Sequence, residues 1–201
     1  MLLYSVGRNL LWPVGKLVFR LKFRGRENLP EGGVILCSNH KSVIDPAFLA
    51  FGLRRQIRFM GKSELFDDHG GMIRSLLYGL GAFPVRRNTA DAESVRRAVS
   101  VVREGGILGI FPQGGCVPDN LPLRPKAGAA LIAQKTGAGI LPACIYCDGP
   151  VKPFRRTTVR FGRAIPPEEL GFTDGSRTEL RRAAQIVADR INSLLEEKHE
   201  D

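Results

Sequence analysis

The sequence predicts an α/β domain: a largely parallel mixed sheet covered by helices, preceded by an amphipathic helical segment at the N-terminus. Three observations predict it. The runs "GGVILCSN", "ILGIFPQGG" and "GILPACIY" have the continuous hydrophobicity of strands buried on both faces. Segments with helical spacing lie among them, and the clearest is "DAESVRRAVSVVREGG", with acid early and Gly105-Gly106 as its stop. The two patterns alternate along the chain without repeats or low-complexity tracts. A length of 201 residues fits one domain with a short appendage, divided here as residues 1–22 and 23–201.

In "MLLYSVGRNLLWPVGKLVFRLKFRGR" the apolar residues Leu3, Val6, Leu10, Val14, Leu17 and Leu21 recur every three or four positions, which is helical periodicity. Arg8, Asn9, Lys16 and Arg20 fall towards the other side, and Pro13 is expected to kink or divide the helix. A spanning helix needs about 20 mostly apolar residues in a row, and Arg8, Lys16 and Arg20 interrupt every long run. Six Lys or Arg and no acidic residue precede Glu27. With Tyr4 and Trp12 suited to the headgroup level, the segment reads as one lying in the interface of an anionic membrane. The alternative is a helix packed on the protein's own core. The charge-broken apolar run argues against a cleaved leader.

The remaining elements follow in order. "LKFRGREN" reads as a short strand and "GGVILCSN" as a buried one. A helix is expected over residues 46–53, with Asp45-Pro46 at its start, then a strand in "QIRFMGK". "GGMIRSLLYGLG" reads as an unusually apolar helix and "AFPVRR" as a short strand. After the helix and strand already noted, "KAGAALIAQKTGA" is a small-residue helix, and "GILPACIY" and "TTVRFGRAI" are strands. A long amphipathic helix closes the chain, with Ser176 as its cap and Glu179 three residues on.

The net charge of +10 favours anionic partners: nucleic acid, anionic lipid or phosphorylated substrates. No nucleic-acid module is present, and aromatics at 7% provide no stacking platform, so nucleic acid is not expected as a partner. The four cysteines, Cys37, Cys116, Cys144 and Cys147, are too few to staple a chain of this length and are expected as reduced thiols. Cys144 and Cys147 form a C-x-x-C on a strand, where positions three apart point oppositely. No second ligand cluster completes a zinc site, so no metal is expected.

In sheets of this kind ligands sit beyond the carboxyl ends of the strands. Three turns occupy such places: "NHKSVID", "RRN" and "PQGG". In the first, His40 can act as a general base if Asp45 holds one ring nitrogen. Asp45 also reads as a plain helix cap. In the second, Arg86 and Arg87 point oppositely, so one faces the crevice, and arginine suits phosphate. Lys126 stands at the start of the following small-residue helix, where backbone N–H groups favour an anion. There is no G-x-S-x-G elbow, no Walker motif and no dinucleotide fingerprint. The set reads as a base beside a phosphate clamp.

The ordered set resembles the glycerolipid acyltransferases, the 1-acyl-glycerol-3-phosphate acyltransferase family. The motif N-H-x-S-x-x-D matches Asn39, His40, Ser42 and Asp45. "GAFPVRR" matches the second motif, with Arg87 in the arginine position, and "FPQGGC" corresponds to F-P-E-G-T-R. "GILPACI" matches the fourth, with Pro142, and Lys126 and Gly128 match a lysine–glycine pair between the third and fourth. The matched region runs from residue 33 to residue 146.

The resemblance implies acyl transfer from a thioester, acyl-CoA or acyl-carrier protein, directly to a glycerol hydroxyl. Phosphatidic acid would form from lysophosphatidic acid on the cytoplasmic face of a membrane, with no cofactor. His40 would take the hydroxyl proton and Asp45 would orient His40. Arg87 and Lys126 would hold the acceptor phosphate, with Ser42, Gln113 and Gly114 also bordering the substrate. The third motif departs from the pattern: Gln113 replaces glutamate, and Gly115 and Cys116 stand where threonine and arginine are usual. That departure bears on the acceptor, for which glycerol-3-phosphate, a lysophospholipid or an amino-lipid are alternatives. A Cys–His nucleophilic pair would need Cys116 beside His40, and the motif order gives His40 another role. The reading from a different class is a basic protein that binds membrane or nucleic acid without catalysis.

Overall fold

The computed structural model describes residues 2–68, 70–79, 81–85 and 92–197. Among these, the strands are β1 (Lys22–Arg24), β2 (Val34–Ser38), β3 (Ile57–Lys62), β4 (Phe83–Val85), β5 (Ile107–Ile110), β6 (Ile140–Tyr146) and β7 (Thr158–Phe161). The helices are α1 (Leu2–Val18), α2 (Asp45–Gly52), α3 (Ser63–Asp67), α4 (Gly70–Gly79), α5 (Ala92–Arg103), α6 (Gly128–Thr136), α7 (Pro167–Leu170) and α8 (Arg177–Glu196). The strands form one seven-stranded sheet in the order β1-β7-β6-β2-β5-β3-β4. Every neighbouring pair is parallel except β6 with β7. The largely parallel mixed sheet expected from the alternation is therefore present.

The continuous apolar runs are continuous because both faces are covered. Along β2, Ile35 and Cys37 pack into one hydrophobic cluster with residues of α5, α6 and α8, and Val34 and Leu36 pack into another with residues of α2. The same period of two divides β6: Ile140 and Cys144 face one cluster, Leu141, Ala143 and Ile145 the other. Ile35, Leu36, Leu108, Ile140 and Leu141 are fully buried. At about 1.5–3 kcal/mol for each fully buried aliphatic side chain, these central strands carry much of the core.

Local expectations are corrected in several places. "LKFRGREN" is a strand only over β1, and Arg26–Asn28 form a 3-10 turn. Two short helices, α3 and α7, were not foreseen. Helix α6 begins at Gly128, so Lys126 precedes it rather than opening it. Cys144 and Cys147 are both fully buried. Cys144 lies within β6 and donates to the carbonyl of Leu194 at 3.2 Å, while Cys147 lies past the end of β6.

The N-terminal segment departs most. Pro13 does not divide α1, which runs unbroken from Leu2 to Val18. Proline removes one hydrogen bond, the one to the carbonyl of Asn9. Asn9 and Pro13 are both exposed, so water can reach the freed carbonyl. Tyr4 is buried rather than at a headgroup level, and burial raises its hydroxyl pKa. Arg8 turns inward: its Nε donates to the carbonyl of Ala50 at 3.0 Å and its Nη2 to that of Phe51 at 3.3 Å. These are orphan carbonyls at the end of α2, which favour a cation. Gly15 allows the close approach, since a methyl group there would lie 2.7 Å from the Phe51 ring. The helix thus docks through Tyr4, Arg8, Trp12 and Gly15; Trp12 packs against the core rather than lying at a headgroup level, Leu21 lies past the end of α1 and is buried in the core, and the rest of the described stripe faces away from the protein. Val6, Leu10, Val14 and Leu17 are exposed, Leu17 at 77%. Among the described residues, no helix is long and apolar enough to cross a membrane.

Candidate active site

The site begins with strand register. Val34 faces Ile107 and Cys37 faces Ile110 across the parallel β2–β5 pair. That offset of 73 residues continues past the strand ends, where the His40 N–H donates to Gln113 Oε1 at 2.8 Å. Adjacent parallel strands therefore deliver "NHKSVID" and "PQGG" to one place, the crevice side of the sheet.

Asn39 pins the first of these turns. Its Nδ2 donates to the carbonyl of Ile145 at 3.0 Å, and its Oδ1 accepts from the Ile145 N–H at 2.7 Å. The turn is thereby tied to β6 on one side and to the loop after β5 on the other. Asp45, which opens α2, is fully buried and folds back over the turn. Its Oδ2 accepts from His40 Nδ1 at 2.8 Å, from the Lys41 N–H at 2.6 Å and from the Ser42 N–H at 2.8 Å. The helix-opening and imidazole-holding roles of Asp45 are thus one arrangement. Ser42 contributes its backbone N–H.

A carboxylate only accepts, so Nδ1 is the donor of this pair and Nε2 is the nitrogen on the open edge of the ring. The ring is fixed on its flat side too: it stacks on Phe111, with centroids 4.0 Å apart and planes 15° from parallel. His40 is 13% exposed through its side chain, so the open edge of the ring is reachable. A base held this way is preorganised, with Nδ1 held by Asp45 and Nε2 on the reachable edge of the ring, beside the Cys116 thiol.

The third-motif turn lies across from it. Gly114 has φ of 76°, a conformation that disfavours any side chain. A methyl group there would also meet Cε and Nζ of Lys126 at 3.0 Å, so the bare glycine leaves the place the lysine side chain occupies. The Lys126 N–H donates to the carbonyl of Pro112 at 2.9 Å, which closes the loop back on its start. His40, Ser42, Asp45, Gln113, Gly114 and Lys126 are therefore brought together. Arg87, together with the rest of "RRN", lies outside the described residues.

The sequence did not single out several supports. Lys41 is 4% exposed, and burial lowers its pKa. Its Nζ donates to Asn120 Oδ1 at 2.5 Å and to the carbonyl of Cys147 at 3.3 Å. It ties the floor of the turn to the loop after the third motif. Phe111 and Asn39 were visible only as motif neighbours. Cys116 Sγ lies 3.3 Å from His40 Nε2. A cavity of about 370 Å³ lies elsewhere, lined by Ser63, Arg74, Tyr78, Glu93 and Arg97 among others, and holds none of these groups. Among the described residues, no group of three or more His, Cys, Asp or Glu could hold a metal ion.

A sequence model of the family described as Acyltransferase matches residues 20–146, and the chain belongs to that family. Its glycerolipid branch, indicated by the four ordered motifs, is borne out by relatives. Over 196 residues the chain is 35% identical to the 1-acyl-sn-glycerol-3-phosphate acyltransferase of Bacillus subtilis (strain 168), covering 96% of each chain. A protein of the same name from Borreliella burgdorferi is 30% identical over 138 residues, which cover 68% of this chain and 54% of the relative. The crystal structure of the 1-acyl-sn-glycerophosphate (LPA) acyltransferase from Thermotoga maritima has a TM-score of 0.65 at 20% identity, covering 97% of this chain and 84% of that one. That likeness bears on the fold, in which the two share a helix-flanked mixed sheet.

Proposed function

We propose that this enzyme transfers a fatty acyl group from a thioester, acyl-CoA or acyl-carrier protein, to the free hydroxyl of 1-acyl-glycerol-3-phosphate, forming phosphatidic acid. The observation that carries the proposal is the His40–Asp45 pair at 2.8 Å, with the turn that bears Gly114, against which Lys126 lies, bonded to the His40 N–H. His40 takes the acceptor proton as the oxygen attacks the thioester carbonyl, a contribution typically of about 10²–10⁴-fold in rate. Asp45 holds the tautomer and stabilises the imidazolium that forms. Lys126 binds the acceptor phosphate, with Arg87 as its second cation, and fixing that group positions the hydroxyl. Gln113 aligns the His40 backbone, and Ser42 the carboxylate. The thiol leaves on its carrier, so the chemistry requires no metal or redox cofactor.

The acceptor is a lipid, and the outward stripe of α1 supports docking on an anionic membrane surface from the cytoplasmic side. Phe154 is a further exposed apolar residue beside the end of α1. It is 75% exposed, and its N–H donates to the carbonyl of Val18 at the end of α1. Its φ of 64° is strained for a bulky residue. A second acceptor, glycerol-3-phosphate, a lysophospholipid or an amino-lipid, is favoured by one observation only: Cys116 stands where the family's third motif has a phosphate-binding arginine. Thiol release with acyl-CoA and with acyl-carrier protein, each against a panel of acceptors, tests the proposal. Preference for 1-acyl-glycerol-3-phosphate supports it. Transfer only to other acceptors, or to none, overturns it.

A further inference from the structure

The cavity of about 370 Å³ at the ends of β3 and β4 is walled by α3 and α4 on one side and by the first turns of α5 on the other. A guanidinium reaches it from each wall. Arg74 of α4 is fixed at its base, because its Nε donates to the carbonyl of Phe66 at 2.7 Å. Arg97 of α5 lies over the Phe83 ring, 6.0 Å from its centroid. Each has a carboxylate neighbour, Asp67 at 3.6 Å from Arg74 and Glu93 at 3.8 Å from Arg97. Those separations are too long for hydrogen bonds, and all four side chains are about half exposed or more. Such pairs hold their partners weakly. A phosphate between the two forks would make what the carboxylates do not: bidentate, charge-assisted hydrogen bonds. The rest of the wall is uncharged. Ser63 Oγ donates to Glu64 Oε2 at 3.0 Å and keeps its lone pairs for an incoming N–H. The Phe66 and Tyr78 rings pack with centroids 5.1 Å apart as an apolar patch.

We infer that this cavity holds the phosphopantetheine arm of the acyl donor, with Arg74 and Arg97 on its phosphate. This rests on the acyl-transfer reading, leaves its direct step as stated, and assigns a place to the donor. The arm is a phosphate followed by a dimethyl-bearing hydroxy acid and amides, and it ends in the sulfur that carries the acyl group. Each part has a counterpart in the wall: the guanidinium pair, the Phe66 and Tyr78 rings, and the Ser63 oxygen. The reach is sufficient. Stacked rings lead from His40 to β3, His40 on Phe111 at 4.0 Å and Phe111 on Phe59 at 5.7 Å. Ser63 follows Phe59 by four residues, about 13 Å of strand. The arm has the backbone of about four or five extended residues, roughly 15 Å, so a phosphate in the cavity leaves the sulfur within reach of the His40 turn. The other substrate groups suit the cavity less well. A fatty chain would desolvate the charged side chains without pairing them. The acceptor phosphate is assigned to Lys126 beside Gly114. Acyl-CoA and acyl-carrier protein share the arm, so one subsite serves both.

The test compares the full-length wild type with Arg74→Gln and Arg97→Gln on acyl-CoA, acyl-carrier protein and S-acyl-pantetheine, which lacks the phosphate. All carry the same acyl chain, and thiol release is followed with 1-acyl-glycerol-3-phosphate as acceptor. Each substitution should raise donor KM about tenfold, on acyl-CoA and on acyl-carrier protein alike, with acceptor KM unchanged. The kcat/KM for S-acyl-pantetheine, low already in the wild type, should not change. That last comparison uses the same variants, so it separates a lost phosphate contact from a damaged fold. An unchanged donor KM overturns the inference. So does a rise confined to acyl-CoA, which would put the arginines on its nucleotide, or one confined to acyl-carrier protein, which would put them on the carrier's own surface. A rise in acceptor KM instead, or an equal loss on S-acyl-pantetheine, overturns it as well. In all of these the wild type still forms phosphatidic acid and the proposed function stands. A wild type that transfers only to other acceptors overturns the proposed function, and the donor comparison is then read with the acceptor it uses. Absence of transfer to any acceptor overturns both.

Discussion

Single atoms around His40 set the chemistry. Asp45 Oδ2 serves three donors at once, so its charge both fixes the imidazole and closes the turn. Asp45→Asn keeps the shape but removes the ionised acceptor. The expected fall in kcat is on the order of 10²–10⁴-fold, with a smaller change in acceptor KM, read by steady-state kinetics on a variant of unchanged circular dichroism. Gly114→Ala acts on the other substrate group. The left-handed conformation costs an alanine roughly 1–2 kcal/mol, and the added methyl meets Lys126 at 3.0 Å. Acceptor KM should rise several-fold and Tm should fall. Gly115→Ala places its methyl in open space and should leave Tm in place.

Individual elements were legible to the extent that local pattern decides them. Strands β2, β5 and β6 declared themselves because burial on both faces makes their runs almost wholly apolar, without the alternation of a half-exposed strand. Helix α8 declared itself through its cap: Ser176 Oγ accepts from the Glu179 N–H at 3.3 Å. The Glu179 carboxylate in turn accepts from the N–H groups of Thr173 and Gly175 and from the Thr173 hydroxyl. The Thr173 hydroxyl first, then the surrounding N–H groups, hold that carboxyl at about 2 instead of 4.5. A depressed carboxyl stabilises the fold above its ordinary pKa, and the gain is lost as pH falls through the folded value. Glu179→Gln should therefore lower Tm at pH 7, and the gap should close between about 4.5 and about 2. Ser176→Ala should cost about 1 kcal/mol in denaturant unfolding. The five residues of α3 and the four of α7 escaped because neither is long enough to display a helical period. The His40–Asp45 pair was legible as a motif. The Cys116–His40 contact was weighed from the sequence and set aside, and the structure places the two side chains 3.3 Å apart, because their meeting depends on the register between β2 and β5, which no local spacing encodes.

The whole molecule presents the His40 turn beyond the carboxyl ends of β2 and β5 and an outward apolar stripe on α1. Amphipathicity was read correctly from the sequence, but not which residues dock on the protein. Tyr4, Arg8, Trp12 and Gly15 do, so removing the first 22 residues would uncover Phe51 and the end of α2. Leu10→Glu with Leu17→Glu is the cleaner change, since both side chains are exposed. These substitutions should release the protein from anionic vesicles in flotation without lowering Tm. The most direct test of the central claim is phosphatidic acid formation by wild-type and His40→Ala enzyme, supplied with acyl-CoA and 1-acyl-glycerol-3-phosphate and followed by mass spectrometry. The wild type should form product and His40→Ala should not, with its circular dichroism unchanged. Full product formation by a folded His40→Ala enzyme would contradict the account.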